Sequence, residues 1–154
     1  MSDTSRTALD RAAARAAQAY IEQVLRDLGA AVRGEGELDE ALARALGWEL
    51  QAFGGVRFAR PCETEEWEVL PALTADFGRA VAAVPRDRYF RLNNSRRVFI
   101  AQVLDADVLV EAGTLQQSTG HTPALALWGA ILKDHLQRLS ADPRRADAAA
   151  EAAR

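Results

Sequence analysis

The stretch from Gly120 to Leu139 constrains the fold most, because it has the features of one long helix with a defined start and an apolar face. It opens with Gly120-His121-Thr122-Pro123. The Thr122 hydroxyl can cap a helix, and Pro123 suits the first helical position, where its missing N–H would have no intrahelical partner. Apolar residues then recur three and four positions apart, at Leu125, Trp128, Leu132, Leu136 and Leu139. This spacing predicts an amphipathic helix that must pack on another element.

Three further helices are predicted upstream of it. An alanine-rich helix spans about Ser5 to Leu28 and stops at Gly29, and a short amphipathic helix spans Leu38 to Leu46 and ends at Gly47. A third runs from Thr74, its predicted N-cap, to Val84, because Pro85 disfavours continuation. Glycines 34 and 36 lie between the first two helices, and we place a domain boundary there.

Three strands are predicted between the third helix and the last one. Tyr89–Leu92, Val98–Leu104 and Val108–Val110 are rich in β-branched and aromatic residues, and turn-forming residues separate them. They predict an antiparallel meander, followed by a loop from Gly113 to Gly120. Val56–Phe58 is a further strand candidate in a segment that otherwise reads as irregular.

These elements predict an α+β fold. Its core is a small three-stranded antiparallel meander layered with α-helices in the order α-β-β-β-α, and an alanine-rich N-terminal helix precedes it. The predicted organisation is an N-terminal helix at residues 1–33, an α+β domain at 37–139 and a flexible tail at 140–154.

Composition narrows the function classes. A chain of 154 residues with a formal net charge of −3 is long enough for one core and disfavours a general nucleic-acid binder, whose affinity depends on neutralising phosphates. Cys62 is the single cysteine, so an intrachain disulfide is excluded. Neither an apolar run of about 20 residues nor an apolar secretion signal is present, and we expect a cytoplasmic protein without a membrane partner.

Three segments, in their order and spacing, resemble a known family. They are Leu38–Trp48, Leu70–Val84 and Gly120–Leu132. Together they are similar to the phage ABA-sandwich domain family, which includes the NinX phage proteins. Gly120, Thr122 and Pro123 match its last motif, whereas Thr74-Ala75-Asp76 matches a Ser-Thr-Asp motif only in part. The resemblance implies a layered α+β fold and a phage or prophage origin, hence a bacterial host, and it brings no catalytic residues.

The starts of the last two helices form the candidate ligand site. Both begin where backbone N–H groups are unpaired and the helix dipole is positive, which suits a phosphate-bearing small molecule. The candidate residues are Thr74, Asp76, Arg79, Gly120, His121 and Thr122. The alternative is that both starts are ordinary caps, and the Asp76 carboxylate would itself repel an anion.

An arginine-rich hairpin is a second candidate. Arg91, Arg96 and Arg97 stand among aromatic residues, and Tyr89 would share a sheet face with Arg91. Stacking combined with phosphate contacts is a common way for a sheet to bind a single strand. The alternative is a solvated hairpin whose arginines discourage edge pairing. Because the net charge is negative, we expect nucleic acid to be an improbable partner.

An acidic segment surrounds Trp67. Glu63, Glu65, Glu66 and Glu68 match no known cation-binding loop, so we expect a solvated loop with Trp67 packed against the core. Its charge also suits a basic protein partner.

Catalytic chemistry finds little support. His121 and His135 are the only histidines, neither has a nucleophile at a telling spacing, and Glu63 next to Cys62 should raise the pKa of that thiol. We therefore expect no catalytic residue, no cofactor and no metal site.

The resulting expectation is a non-catalytic phage accessory protein that acts by binding. The first hypothesis is that it sequesters a nucleotide-like molecule, for instance a host defence signal. The alternative is a protein–protein interaction module that inhibits or redirects a host protein through the N-terminal helix and the Trp67 loop. That helix can either pair with its copy in a homo-oligomer or fold back on its own domain.

Overall fold

A computed structural model describes residues 3–105 and 115–141 of the chain, with side chains from Ala8 onward. Within this part, the helices are α1 (Asp3–Ala30), α2 (Gly36–Ala45), α3 (Phe77–Ala83) and α4 (Pro123–Ala141). The strands are β1 (Glu49–Phe53), β2 (Val56–Arg60), β3 (Glu68–Val69), β4 (Arg88–Ser95), β5 (Val98–Asp105) and β6 (Gln116–Gly120). The predicted α+β class is confirmed.

The strands form two antiparallel sheets. Sheet A has the order β1-β2-β3, and sheet B, which lies between α3 and α4 in the chain, has the order β4-β5-β6. Sheet B contains the first two strands of the predicted meander, with β4 and β5 paired from Arg88↔Asp105 to Ser95↔Val98. Of sheet A, only the Val56–Phe58 strand was predicted.

The third strand of sheet B is not the predicted one. Val108–Val110 lies outside the described residues, and β6 falls instead within the stretch Gly113–Gly120, where the prediction of a loop is wrong. The reason lies in α4. Gly129 has no side chain, and a Cβ there would stand 2.2 Å from Ser118 Oγ. The missing side chain lets the polar residues of β6 lie close to α4, and in this position β6 pairs with β5.

The start of α4 is as predicted. Thr122 Oγ1 accepts a hydrogen bond from the Leu125 N–H at 3.2 Å, and Pro123 is the first helical residue. The helix is more deeply buried than one stripe requires, because every residue from Ala124 to Leu132 is buried. It lies between sheet B on one side and helices α1 and α3 on others.

Helix α1 folds back on its own chain. Its side chains Ile21, Val24 and Leu28 are buried in the same apolar cluster as residues of α2, α4 and sheet B. Gln18 Nε2 donates to Ser140 Oγ of α4 at 3.4 Å, and the Tyr20 hydroxyl donates to the Ala41 carbonyl of α2 at 3.3 Å. Burial of three aliphatic side chains contributes about 1.5–3 kcal/mol each to folding. Of the two arrangements left open for α1, this is the one observed.

Helix α3 begins later than predicted, and its predicted cap is wrong. The N-cap is Asp76, whose Oδ1 accepts from the Arg79 N–H at 3.2 Å. Thr74 lies two residues earlier in a turn, where Leu73 is buried beneath α4 and its carbonyl accepts from Trp128 Nε1 at 2.6 Å. Leu73 and Thr74 are both buried, so the chain turns once more before the helix can start.

A cluster of opposite charges fixes the start of β4 to α4. Arg88 contacts Asp134 through Nε at 3.1 Å and Asp105 through Nη1 at 3.0 Å. Arg138 contacts the other oxygen of the buried Asp134 at 2.9 Å and reaches Asp87 at 2.9 Å. The hydrogen bond from Arg138 lowers the pKa of Asp87.

Candidate functional site

Thr74, the first of the predicted ligand-binding residues, is fully buried and its polar atoms have partners. Its N–H and its hydroxyl both donate to Asp39 Oδ1 at 2.6 Å, and its Oγ1 accepts from the Glu35 N–H at 3.2 Å. Gly34 allows the close approach, since a Cβ there would stand 2.6 Å from the Ala75 nitrogen. Thr74 therefore joins the α1–α2 connection to the turn before α3.

Asp76 and Arg79 are exposed at the start of α3. The Asp76 carboxylate caps the helix, and Arg79 forms a two-pronged ion pair with Glu68 of β3 at 3.1 and 3.3 Å. At this helix start the Asp76 carboxylate already accepts from a backbone N–H, and the Arg79 guanidinium is already paired with a carboxylate.

Gly120, His121 and Thr122 lie at the start of α4. Gly120 is buried against the first turn, where a Cβ would stand 2.6 Å from the Ala126 nitrogen. The Leu125 N–H is bound by the Thr122 hydroxyl and the Ala126 N–H by the Thr122 carbonyl. His121 is exposed. Within residues 8–105 and 115–141, no hydrogen bond or ion pair joins this group to Thr74, Asp76 or Arg79.

The arginine-rich hairpin belongs to sheet B, and Tyr89 and Arg91 share a sheet face as predicted. Tyr89 and Arg91 are two positions apart on β4, share one face and are exposed. Arg96 and Arg97 form the two-residue connection between the paired residues Ser95 and Val98.

A different surface, on sheet A, exposes large apolar side chains. Phe53 pairs with Val56 at the tip of the β1–β2 hairpin, and Phe58 pairs with Val69 on β3. Directly opposed residues share a face, and so do residues two apart along a strand. We call this face, formed by Phe53, Val56, Phe58 and Val69 together with the adjoining Trp67, the sheet A outer face. Phe53 is 82% exposed, and Val69 is 60% exposed.

The hairpin that presents this face depends on two glycines. Gly54 and Gly55 connect β1 to β2 with φ values of +58° and +78°. A two-residue loop with positive φ at both positions matches the twist of the flanking strands and favours glycine. Phe53 and Val56 flank this loop and point away from the sheet face that carries the buried Ala59.

Trp67 borders the sheet A outer face, and its predicted burial against the core is wrong. It is 40% exposed, and the Arg60 guanidinium lies over its ring at 5.2 Å from the centroid. Arg60 also pairs with Glu49 across the strands at 2.5 Å. Strand β3 is only two residues long, so the loop that carries Trp67 stays at the surface. There the cation–π contact with Arg60 covers one side of the indole.

Carboxylates precede Trp67 in the loop before β3. Glu63, Glu65 and Glu66 of the loop before β3 are exposed, and none of them forms an ion pair with another described residue. Cys62 begins the same loop, with its thiol 2.8 Å from the Gly47 carbonyl. Partial burial raises the pKa of Cys62, and the nearby Glu49 and Glu63 raise it further. The predicted direction is confirmed, and desolvation is the larger cause.

Phe53, Val56 and Val69 were not among the site residues predicted from the sequence. The signal was the Gly54-Gly55 pair between short apolar stretches, which is a hairpin signature that the irregular reading of this segment overlooked. Val69 lies in a two-residue strand, for which no periodic pattern exists.

A concave surface lies next to sheet A. A half-open depression of about 210 Å³ lies between α2 and the β1–β2 hairpin. Small-molecule sites usually measure about 300–1,000 Å³. The depression is lined by Glu40, Arg44 and Arg57, among others, and the Glu40 carboxylate is paired with both arginines.

The described residues, 3–105 and 115–141, hold neither a clustered set of metal ligands nor a helix suited to crossing a bilayer. Across these two ranges, no three His, Cys, Asp or Glu side chains come together as a cation site. None of the helices there combines the length and the apolar character needed to span a bilayer.

Comparison with known proteins returns no relatives: neither a family model, nor a curated protein, nor a solved structure matches this chain. The resemblance to the phage ABA-sandwich family therefore stays a prediction.

Proposed function

We propose that the protein is a non-catalytic interaction module that binds a protein partner through the sheet A outer face. The observation that carries this proposal is the exposure of Phe53 at 82% beside Val56, Val69 and Trp67. Contiguous apolar side chains on a folded surface mark interaction sites, and aromatic residues dominate the energetics of interfaces. Burying an exposed Phe side chain contributes about 1.5–3 kcal/mol, so Phe53 is the expected anchor.

Charge defines the chemistry of the partner. The apolar face is bordered by Glu49 and by the acidic loop of Glu63, Glu65 and Glu66, and among these only Glu49 has a described ion pair. The complementary partner offers an apolar side chain for Phe53 and Trp67, flanked by lysine or arginine. Such complementarity mainly raises the association rate and the specificity.

The geometry favours a protein partner over the nucleotide-like molecule of the first hypothesis from the sequence. At the start of α4 the Leu125 and Ala126 N–H groups are bonded within the chain, Thr74 is enclosed, and the depression beside α2 is smaller than usual ligand sites. A protein partner needs no cavity. Calorimetry with nucleotides and cyclic nucleotides separates the two hypotheses, because only nucleotide sequestration predicts a heat of binding.

The resemblance to phage proteins indicates where to look for the partner. A phage or prophage accessory protein in the bacterial cytoplasm would meet host proteins, and covering one of them can inhibit or redirect it. The biological role proposed is therefore that of a modulator of a host protein.

Site-specific photo-crosslinking in the bacterial host tests this proposal. A photoreactive phenylalanine analogue replaces Phe53 in one variant and Val32 in the control, since Val32 is 73% exposed and lies in the α1–α2 connection. We expect a discrete adduct with one host protein from position 53 only. Replacing Glu63, Glu65 and Glu66 by Gln should reduce its yield.

Two results would contradict the proposal. One is the same set of adducts from both positions, and the other is a yield that does not change when the three carboxylates are removed. An adduct of twice the chain mass would instead identify a second copy of this chain as the occupant of the face, and the host-protein role would be abandoned.

A further inference from the structure

The outer face of sheet B, opposite α4, is a second surface that the proposed function does not use. Ala101 and Val103 of β5 are buried on the core side of the sheet. The strand register therefore places the alternate residues on the other side: Tyr89, Arg91 and Asn93 of β4, Val98, Ile100, Gln102 and Leu104 of β5, and Gln117 and Thr119 of β6. We call this the sheet B outer face.

The sheet B outer face is polar, and its charge is positive. Arg91 is the one charged residue among the positions just named. Tyr89 is 40% exposed, and Gln102 Nε2 donates to Gln117 Oε1 across the strands at 2.8 Å. Amides that already pair with each other on a flat surface keep further donors and acceptors for groups above the sheet.

The β4–β5 connection adds two charges at one end of this face. Arg96 and Arg97 are exposed, and Arg96 has a φ of +56°. A positive φ in a two-residue hairpin loop favours Gly, Asn or Asp, so the arginine backbone is strained there. Arg91, Arg96 and Arg97 form no ion pair or side-chain hydrogen bond within residues 8–105 and 115–141. The chain therefore holds arginine in a loop where its backbone is strained and its charge is left unneutralised by the described residues.

We infer that the sheet B outer face binds single-stranded nucleic acid. An exposed aromatic ring on a sheet provides a stacking platform for a base, and arginines along its edge and tip can each contact a phosphate. Asn93, Gln102 and Gln117 supply hydrogen-bonding groups for base edges. The formal net charge of −3 disfavours general nucleic-acid binding, so the inference rests on the local charge of this face. Charges act over about 8–10 Å at physiological salt, and the unpaired carboxylates of the Trp67 loop belong to the other sheet.

A polyanion is the occupant that this charge pattern favours. The residues of this face contrast with those of the sheet A outer face, where four carboxylates border large apolar groups. A basic protein segment suits the latter face. On the sheet B outer face the apolar groups Val98, Ile100 and Leu104 are half-buried, which leaves little apolar area for a protein partner.

Fluorescence anisotropy with a labelled single-stranded RNA of about 12 nucleotides tests the inference directly. Three phosphate contacts predict a slope of about −2.1 in log K against log salt, or about an 18-fold loss of affinity between roughly 50 and 200 mM salt. Arg96→Ala combined with Arg97→Ala should reduce the slope to about −0.7, which is only about a 2.6-fold loss. Tyr89→Ala should weaken binding about 5- to 150-fold, whereas Tyr89→Phe should retain it, because stacking needs the ring and not the hydroxyl.

The matched control is Arg11→Ala with Arg15→Ala, which removes the same charge from exposed positions on α1. If this control lowers affinity as much as the hairpin variant, the binding follows net charge and the inference is wrong. Equal affinity for a duplex of the same length, or no binding at low salt, also overturns it. A single-stranded DNA arm shows whether the 2′-hydroxyl contributes. Unchanged thermal unfolding of each variant excludes loss of fold as the cause.

Discussion

The buried contact between Asp39 and Thr74 gives the most quantitative prediction. Asp39 is 6% exposed, and one of its oxygens accepts both the N–H and the hydroxyl of Thr74 at 2.6 Å. The perturbation is Thr74→Val, which keeps the shape of the side chain and removes the hydroxyl. The Asp39 carboxylate then retains only the Thr74 N–H, and the Glu35 N–H loses its acceptor.

The magnitude follows from the charge and the burial of these groups. A hydrogen bond to a charged group contributes about 1.5–3 kcal/mol, so Thr74→Val should lower the free energy of unfolding by about 2 kcal/mol. Asp39→Ala leaves a buried N–H and a buried hydroxyl without their acceptor, at about 1–3 kcal/mol each, for a total of about 4 kcal/mol. In the Asp39→Ala background, Thr74→Val removes a buried hydroxyl that has already lost its acceptor, which offsets the lost bond from the Glu35 N–H, so its net cost should be small. The expected coupling energy is therefore about 2 kcal/mol.

Urea unfolding followed by tryptophan fluorescence measures these differences. Trp128 is a suitable reporter, since it is buried and its indole donates to Leu73, the neighbour of Thr74. The matched control is Thr122→Val, which removes a helix cap at a cost of about 1 kcal/mol. It should add to Asp39→Ala without coupling, because the bonds that Thr122 makes with described residues are all to its own helix.

Either of two results would refute this reasoning. A change of less than about 0.5 kcal/mol for Thr74→Val would mean that the hydroxyl contributes no more than an ordinary surface group. Full additivity of Thr74→Val and Asp39→Ala would mean that the two side chains do not interact in solution.

Three further predictions concern backbone space, charge and thiol reactivity. Gly120→Ala should destabilise the fold by about 3 kcal/mol in urea unfolding, because a Cβ would meet the backbone of α4. Gly29→Ala, a control with open space around it in α1, should instead stabilise it by about 0.5–1 kcal/mol. Arg138 lowers the folded-state pKa of Asp87, so the stability from this contact is present above the unfolded pKa of about 3.9 and is lost as the pH falls through the folded value. Acid-unfolding curves should therefore shift to higher pH in Asp87→Asn, and an unchanged curve would contradict the pairing. Since burial raises its pKa, Cys62 should react with iodoacetamide at neutral pH more slowly than a free cysteine, and equal rates would show that the thiol is not desolvated.

Local sequence chemistry was sufficient where a helix or strand carries its own signal. The start of α4 follows from Thr122 and Pro123, whose hydroxyl and ring act within one turn. The β4–β5 hairpin follows from β-branched and aromatic residues on both sides of a turn. The shared face of Tyr89 and Arg91 follows from the two-residue period of a strand. These features need no knowledge of distant residues.

Two of the errors share one physical cause, which is contact between segments far apart in the chain. Thr74 and Asp76 are both good caps by type, and the choice between them depends on Asp39, 35 residues away, which takes the Thr74 hydroxyl. The polar stretch of β6 is a strand because Gly129 lets it lie against α4. Trp67 is an error of a more local kind, since its ring contacts Arg60 of the neighbouring strand β2 and stays exposed.

The sequence by itself determined the α+β class, the capped helix α4, the β4–β5 hairpin and the positions of the charged segments. These depend on periodicity and on local hydrogen bonding, which operate within a few residues. Only the tertiary structure decided that Thr74 is buried and that Gly120 packs against the first turn of α4. It also decided that Phe53 and Arg91 lie exposed on two different sheets. Burial depends on which segments cover one another, and that depends on the packing of the whole chain.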